Sequence, residues 1–225
     1  NTTAQTSESG DSSQILQIGC SGADEMEFAG NICQVGYWVG ALTQEKIQSV
    51  MEKTFEELTA TEKSSLGSEL ITNGDMELDS NWTSEGSPDT NERSSAQAHG
   101  GTYSRYLVNT SSEHGAKSDT YTTVTNTLYK VEFWTYGVSG TVQLYIRNGV
   151  NSSSLLETNF TPTIGVWEKH TYYYTETSGG SGAYLLFRKS SLNVYIDDVT
   201  TKAVTHDLVS YWALDETQGT DYKYT

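Results

Sequence analysis

Basic residues are scarce in this chain: 13 Lys+Arg stand against 29 Asp+Glu, a formal charge of −16. A surface that acidic repels nucleic acid and anionic lipid, since both need a basic face to release counterions or meet headgroups. Proline is nearly absent, at 2 copies in 225 residues. A Pro-poor chain rich in Tyr, Thr and Gly favours many strands joined by tight turns. Cysteine is as rare. Cys20 and Cys33 allow at most one internal disulfide, and both fall early in the chain, so most of the fold does not depend on one. The longest apolar run is far below the ~18 residues that a membrane-spanning helix needs. There is no Gly-x-Ser-x-Gly elbow, phosphate loop or Cys–His pairing, and His99, His114, His170 and His206 lie in separate segments without metal-ligand spacing. These absences point to a binding protein and away from an enzyme.

Three segments remain. Residues 1–13 are polar and aperiodic, and 14–42 hold two apolar runs that read as strands. Thr43 opens a run in which Ile47, Val50, Met51, Phe55 and Leu58 recur at helical spacing, which predicts a helix over 43–57, with a further turn near 59–65. From Glu69 the period changes to two. Strands are predicted near 69–77, 102–109, 117–125, 128–137, 140–148, 166–176, 182–190 and 193–202, separated by Gly-rich turns. Short strands with regular turns make an all-β antiparallel sandwich or barrel. The tail, 205–225, opens another strand at 208–214.

Alternation along two strands suggests a binding face. In 128–137 the outward set is Lys130, Glu132, Trp134 and Tyr136; in 140–148 it is Gln143, Tyr145 and Arg147. Taken as neighbours, they give one face with Trp134, Tyr136 and Tyr145 among Glu132, Gln143 and Arg147. Sugars present apolar C–H faces and polar rims, so flat aromatics beside hydrogen-bonding side chains suit them. Tyr172 and Tyr174 are expected to extend the face, with Tyr173 pointing away. The competing reading is that Trp134 and Tyr136 are buried by a loop or a neighbouring domain. Glycoside hydrolysis needs two flanking carboxylates, and Glu132 is the one acid placed on this face.

Five segments, in order, carry a family resemblance. They are ELITNGDMELDSNW (69–82), AQAHGGTYSRYLV (96–108), TLYKVEFWTYG (127–137), VWEKHTYYYT (166–175) and VYIDDVTT (194–201). This pattern resembles carbohydrate-binding modules of the family 4/9/22 type, jelly-roll sandwiches of the galactose-binding-like group. The resemblance implies a jelly roll over 67–204, core positions for Trp82 and Trp167, and a glycan or polysaccharide partner. It also implies a structural Ca²⁺ held by the Asp75 carbonyl, the Glu77 carboxylate, a carbonyl near Thr102 and the Asp197 carboxylate, with Asp198 adjacent. His99 departs from the pattern, because some members place a Glu there and imidazole is a poor calcium ligand. The flanks resemble another family. FAGNICQVGYWVGALTQEKIQSV (28–50) is similar to the last strand and trailing helix of laminin-G or concanavalin A-like lectin domains, and HDLVSYWALDETQGT (206–220) to their first strand. The implied organisation is a partial lectin-like domain over 1–66, the jelly roll, and the start of another lectin-like domain over 205–225. Such a string resembles multimodular adhesins, glycan-degrading enzymes and phage tail or virion proteins. The expected setting is extracellular, at a cell or virion surface, beside neighbouring domains or subunits. The alternatives are a structural spacer without a sugar site and an accessory piece of a glycoside hydrolase.

Overall fold

The computed structural model describes residues 34–51, 53–148 and 153–213. The chain divides into Gly36–Tyr211 and a second unit formed by 1–35 with 212–225. The helices and the sandwich lie in Gly36–Tyr211. The strands expected within 14–33, the cysteines and the residues beyond 213 fall outside the described residues.

The first elements are β1 (Gln34–Val39), α1 (Gln44–Val50), α2 (Ala60–Lys63) and β2 (Ser64–Glu69). The helix predicted over 43–57 ends at Val50, and local side-chain chemistry explains why. The Glu57 carboxylate accepts from the Thr54 N–H (2.8 Å) and from its hydroxyl (3.0 Å), which starts a new turn. Such bonds compete with the helical ladder. Thr59 then caps α2 in a complete capping box with Glu62, satisfying two orphan donors at once. Leu58 is buried as the period requires, while Phe55 sits in the intervening turn and is exposed.

Next come β3 (Trp82–Glu85), β4 (Thr90–Ser94), β5 (Ser104–Asn109), β6 (His114–Ser118), β7 (Tyr121–Thr123), β8 (Leu128–Gly140), β9 (Val142–Arg147), β10 (Ser154–Phe160), β11 (Trp167–Thr175), β12 (Gly180–Lys189) and β13 (Leu192–Ala213). A front sheet runs β11-β8-β13-β5-β4, with β1 and β2 on β13; a back sheet runs β10-β9-β12-β6-β3, with β7 on β12. The all-β antiparallel sandwich expected from the period-two pattern is therefore present. The first strand is displaced: it ends at Glu69, and 70–81 is loop. Strands β3 (WTSE), β4 (TNERS) and β10 (SLLETNF) are additional to those predicted. Their polar or irregular sequences carry little apolar alternation, and cross-strand bonding in the sandwich decides them.

Between the sheets lie Val131, Phe133, Leu144, Ile146, Leu185, Phe187 and Val194, all with no exposed surface. Each such side chain contributes about 1.5–3 kcal/mol on burial. The Asn73-Gly74 pair fixes the loop that follows β2. Asn73 adopts φ +53 and its amide donates to Leu78 O (2.8 Å) and Ser80 O (2.7 Å). The Gly74 carbonyl accepts from Val199 N–H (2.8 Å), and a Cβ at Gly74 would lie 1.9 Å from Val199 O.

The link between β8 and β9 is Thr141 alone, which reads as a hairpin in sequence. It is a crossover between the two sheets. Gly140 permits it with φ +84, and a Cβ there would lie 2.3 Å from Ser191 O. Only glycine takes up that backbone without strain.

Candidate functional site

The crossover divides the predicted face. Glu132, Trp134 and Tyr136 point outward from the front sheet, while Gln143, Tyr145 and Arg147 point outward from the back sheet, across the core. Tyr145 is no open platform, being only 6% exposed. The guanidinium carbons of Arg147 and Arg188 lie 4.8 and 4.5 Å from its ring centre. Its hydroxyl donates to Glu157 (2.8 Å) and accepts from Arg188 (3.1 Å). Gln143 is equally buried, and its amide donates to Glu157 (3.0 Å).

The front sheet brings together a row that sequence reasoning assembled only in part. Tyr106 of β5, Tyr195 of β13, Tyr136 of β8 and Trp167 of β11 are direct cross-strand partners, and Glu92 of β4 continues the row beyond Tyr106. All four aromatics are partly exposed. At a strand spacing of ~4.8 Å they span ~14 Å. Tyr106 and Tyr195 stack at 4.5 Å, Tyr195 meets Tyr136 edge-on at 6.1 Å, and Tyr136 meets Trp167 at 5.8 Å. Exposed aliphatic side chains of Val138, Ile164 and Val166 flank this end, where 161–166 bonds back to Gly137.

Three expectations change here. Trp167 belongs to the outward row and not to the core, whereas Trp82 is in the core at 4% exposure. On β11, Tyr174 pairs with Tyr129 inside the sandwich and Tyr172 packs against the core, while Tyr173 pairs with Lys130 on the outer face. The phase of β11 is set by Tyr174 facing the core, which turns the odd-numbered residues from Trp167 to Tyr173 outward. Tyr106 and Tyr195 were missed although their signal is simple: buried Leu107 adjoins the first, and Val194 and Ile196 bracket the second.

One step along the strands, Asp197, Trp134 and Lys169 form the next row. The His99 ring covers Trp134, stacked at 3.8 Å with planes 16° apart, and meets Trp167 edge-on at 5.6 Å. His99 Nδ1 lies 2.6 Å from an Asp198 carboxylate oxygen. Trp134 is thus covered on one face by the His99 ring, while Tyr136, equally half-buried, stands in the aromatic row.

The loop carrying His99 is pinned by the acids expected to bind calcium. Glu77 Oε1 accepts from Thr102 N–H (2.6 Å) and Tyr103 N–H (2.9 Å), and these bonds hold its carboxyl below the usual range. Asp197 Oδ2 accepts from His99 N–H (2.8 Å) and Gly100 N–H (3.2 Å), and Oδ1 from Asp198 N–H (2.8 Å). Burial raises the Asp197 carboxyl to about 6, against the pull of those donors. Asp75 is exposed and lines a shallow groove with Glu69, Asn73 and Asp198. A calcium cage needs six to eight converging oxygens, and Glu77 Oε1 and both Asp197 oxygens are here turned toward N–H donors.

Glu132 is held in an ion network. Partial burial raises its carboxyl, but Lys169 (2.8 Å) and Lys130 (3.4 Å) outweigh that and keep it below the usual range. Lys130 also pairs with Asp207 (2.7 Å), which accepts from the Tyr173 hydroxyl (2.7 Å). A general acid needs a raised pKa on an accessible carboxyl. Among the described carboxyls, Asp197 is the raised one, and it is fully buried.

No family model and no curated protein matches the chain. Solved structures do. The CBM22-1 xylan-binding domain of Xyn10C from Paenibacillus barcinonensis is 16% identical, covering 63% of this chain and 96% of its own, at TM-score 0.47. A family 16 carbohydrate-binding module is 21% identical, covering 59% and 98%, at 0.46. TmCBM61, solved with β-1,4-galactotriose, is 19% identical, covering 60% and 98%, at 0.46.

Proposed function

We propose that the sandwich is a non-catalytic glycan-binding module, and that its ligand lies across the front sheet along Tyr106, Tyr195, Tyr136 and Trp167. The carrying observation is the register: four partly exposed aromatics on four adjacent strands stand on one outward row. Such a row offers apolar surface to sugar C–H faces, while Glu92 and Lys169 supply hydrogen bonds at its borders. Tyr136, Tyr195 and Tyr106 sit on strands paired on both sides, which fixes their backbone and keeps the entropy lost on binding small. Glu132 and Asp197 of the face are occupied in ion pairs or backbone bonds, which suits binding and not hydrolysis. The setting we propose is a larger multimodular protein at a cell or virion surface. Affinity gels with a panel of neutral polysaccharides test the site. Trp167→Ala and Tyr136→Ala are each expected to weaken retention at least ~10-fold. Unchanged retention in both would remove the row from the binding site.

A second reading, a structural spacer, is favoured by one feature. Strand β13 runs for 22 residues, past the sandwich, to pair with β2 and β1. The Asp207 bonds to Lys130 and Tyr173 lock that extension onto the front sheet. Retention of no polysaccharide by the wild-type protein would favour this reading.

A further inference from the structure

We propose that the back sheet carries a separate site for an anionic sugar, formed by Lys117, Tyr184 and Arg147. Tyr184 of β12 pairs in register with Arg147 of β9, and Lys117 of β6 pairs with Leu186, two residues along β12. Leu185 and Phe187 fill the core, so Tyr184 and Leu186 share the outward face with both cations. Lys117 Nζ lies 5.2 Å from the Tyr184 ring centre. Leu186 has no exposed surface, which seals the floor of the site.

On the back sheet, electrostatics set these two cations apart from Arg188 and Lys189. Arg188 is engaged by Glu113 (3.2 Å), Glu85 (3.7 Å) and the Tyr145 hydroxyl (3.1 Å), and Lys189 by Glu113 (3.8 Å). Glu157 accepts from Gln143 and Tyr145. Among the described residues, neither Lys117 nor Arg147 makes an ion pair, although acids outnumber bases 29 to 13 in the chain. Arg147 touches the Tyr145 ring instead (4.8 Å), and its Nε is buried without a partner among the described residues. That leaves the outer guanidinium N–H groups to meet a ligand.

A guanidinium fork matches a carboxylate or sulfate in two parallel bonds. The Tyr184 ring, beside Lys117 and in register with Arg147, supplies the flat surface that a sugar face needs. An anionic sugar combines both features in one unit. The net charge of −16 opposes such a ligand at long range. At physiological salt, however, exposed charges act over only ~8 Å, so the nearest cations dominate. This site stands independently of the front-sheet row.

The test is an NMR titration of the whole chain with oligogalacturonate, a sulfated oligosaccharide and a neutral oligosaccharide of equal length. One or both anionic ligands are expected to shift the Arg147 and Tyr184 signals, with affinity falling as NaCl is raised. Their relative strength identifies carboxylate or sulfate. Arg147→Ala and Lys117→Ala are each expected to weaken this binding ~10-fold. Arg147→Lys, which keeps the charge and the fold without the fork, should fall between. Trp167→Ala should leave it unchanged. The proposal is overturned if no anionic ligand shifts the back sheet, if Trp167→Ala abolishes the effect, or if poly-glutamate binds as well as the sugars.

Discussion

Replacing Asp197 with Asn keeps the shape of the side chain and removes its charge. Wild-type Asp197 accepts three backbone N–H groups, from His99, Gly100 and Asp198. An amide has a single acceptor oxygen, so one or two of those donors would meet an NH₂ group instead. Each lost bond to a charged acceptor costs ~1.5–3 kcal/mol. Burial acts the other way. The rise of the carboxyl from 3.8 to about 6 corresponds to at most ~3 kcal/mol of penalty on the charged form, less after solvent screening near the loop. Because the value of about 6 already includes the pull of these donors, the variant should be no less stable than wild type at pH 7, and more stable by at most ~3 kcal/mol. Their pH dependences differ. A carboxyl whose folded pKa exceeds its unfolded value binds its proton more tightly in the fold. Its contribution to stability is therefore fullest below 3.8 and is lost as pH rises through about 6. Asn has no such dependence. Urea unfolding at several pH values should show wild type losing stability relative to Asp197→Asn as pH rises across that window. A difference that is flat, or that grows in favour of wild type with rising pH, would refute the reasoning.

Two further outcomes follow from the same contacts. Gly140→Ala should destabilise by at least ~1–3 kcal/mol, because the alanine must hold φ +84 with its Cβ against Ser191 O; an unchanged denaturation midpoint would show that the crossover can relax. EDTA should leave the melting temperature unchanged, since Glu77 and Asp197 bind backbone N–H groups; a calcium-dependent rise in melting temperature would show that the clasp rearranges around a cation.

Period-two alternation made the sandwich legible, because Val131, Phe133, Leu144 and Ile146 recur at every second position and must turn to the core. It also placed Trp134 and Tyr136 correctly on an outer surface. The pairing of strands was not legible. A link as short as Gly140-Thr141 reads as a hairpin, and only the approach of Ser191 to Gly140 shows that the chain crosses the sandwich. That one error joined Tyr145 and Arg147 to the wrong surface. The partners of Glu77 and Asp197 were not legible either. Whether a carboxylate meets a cation or an N–H group depends on how the 98–103 loop folds back, over nearly a hundred residues of sequence separation from Asp197. The helix over 43–57 failed for a local reason: Thr54 and Thr59 act as caps within an apolar period.

The central claim is the aromatic row, and the most direct measurement is chemical-shift mapping with an oligosaccharide that an affinity gel has shown to bind. The account predicts that the Trp167 indole N–H and the ring signals of Tyr106, Tyr136 and Tyr195 shift together at one dissociation constant. Shifts confined to other surfaces, with these four residues silent at saturation, would contradict it.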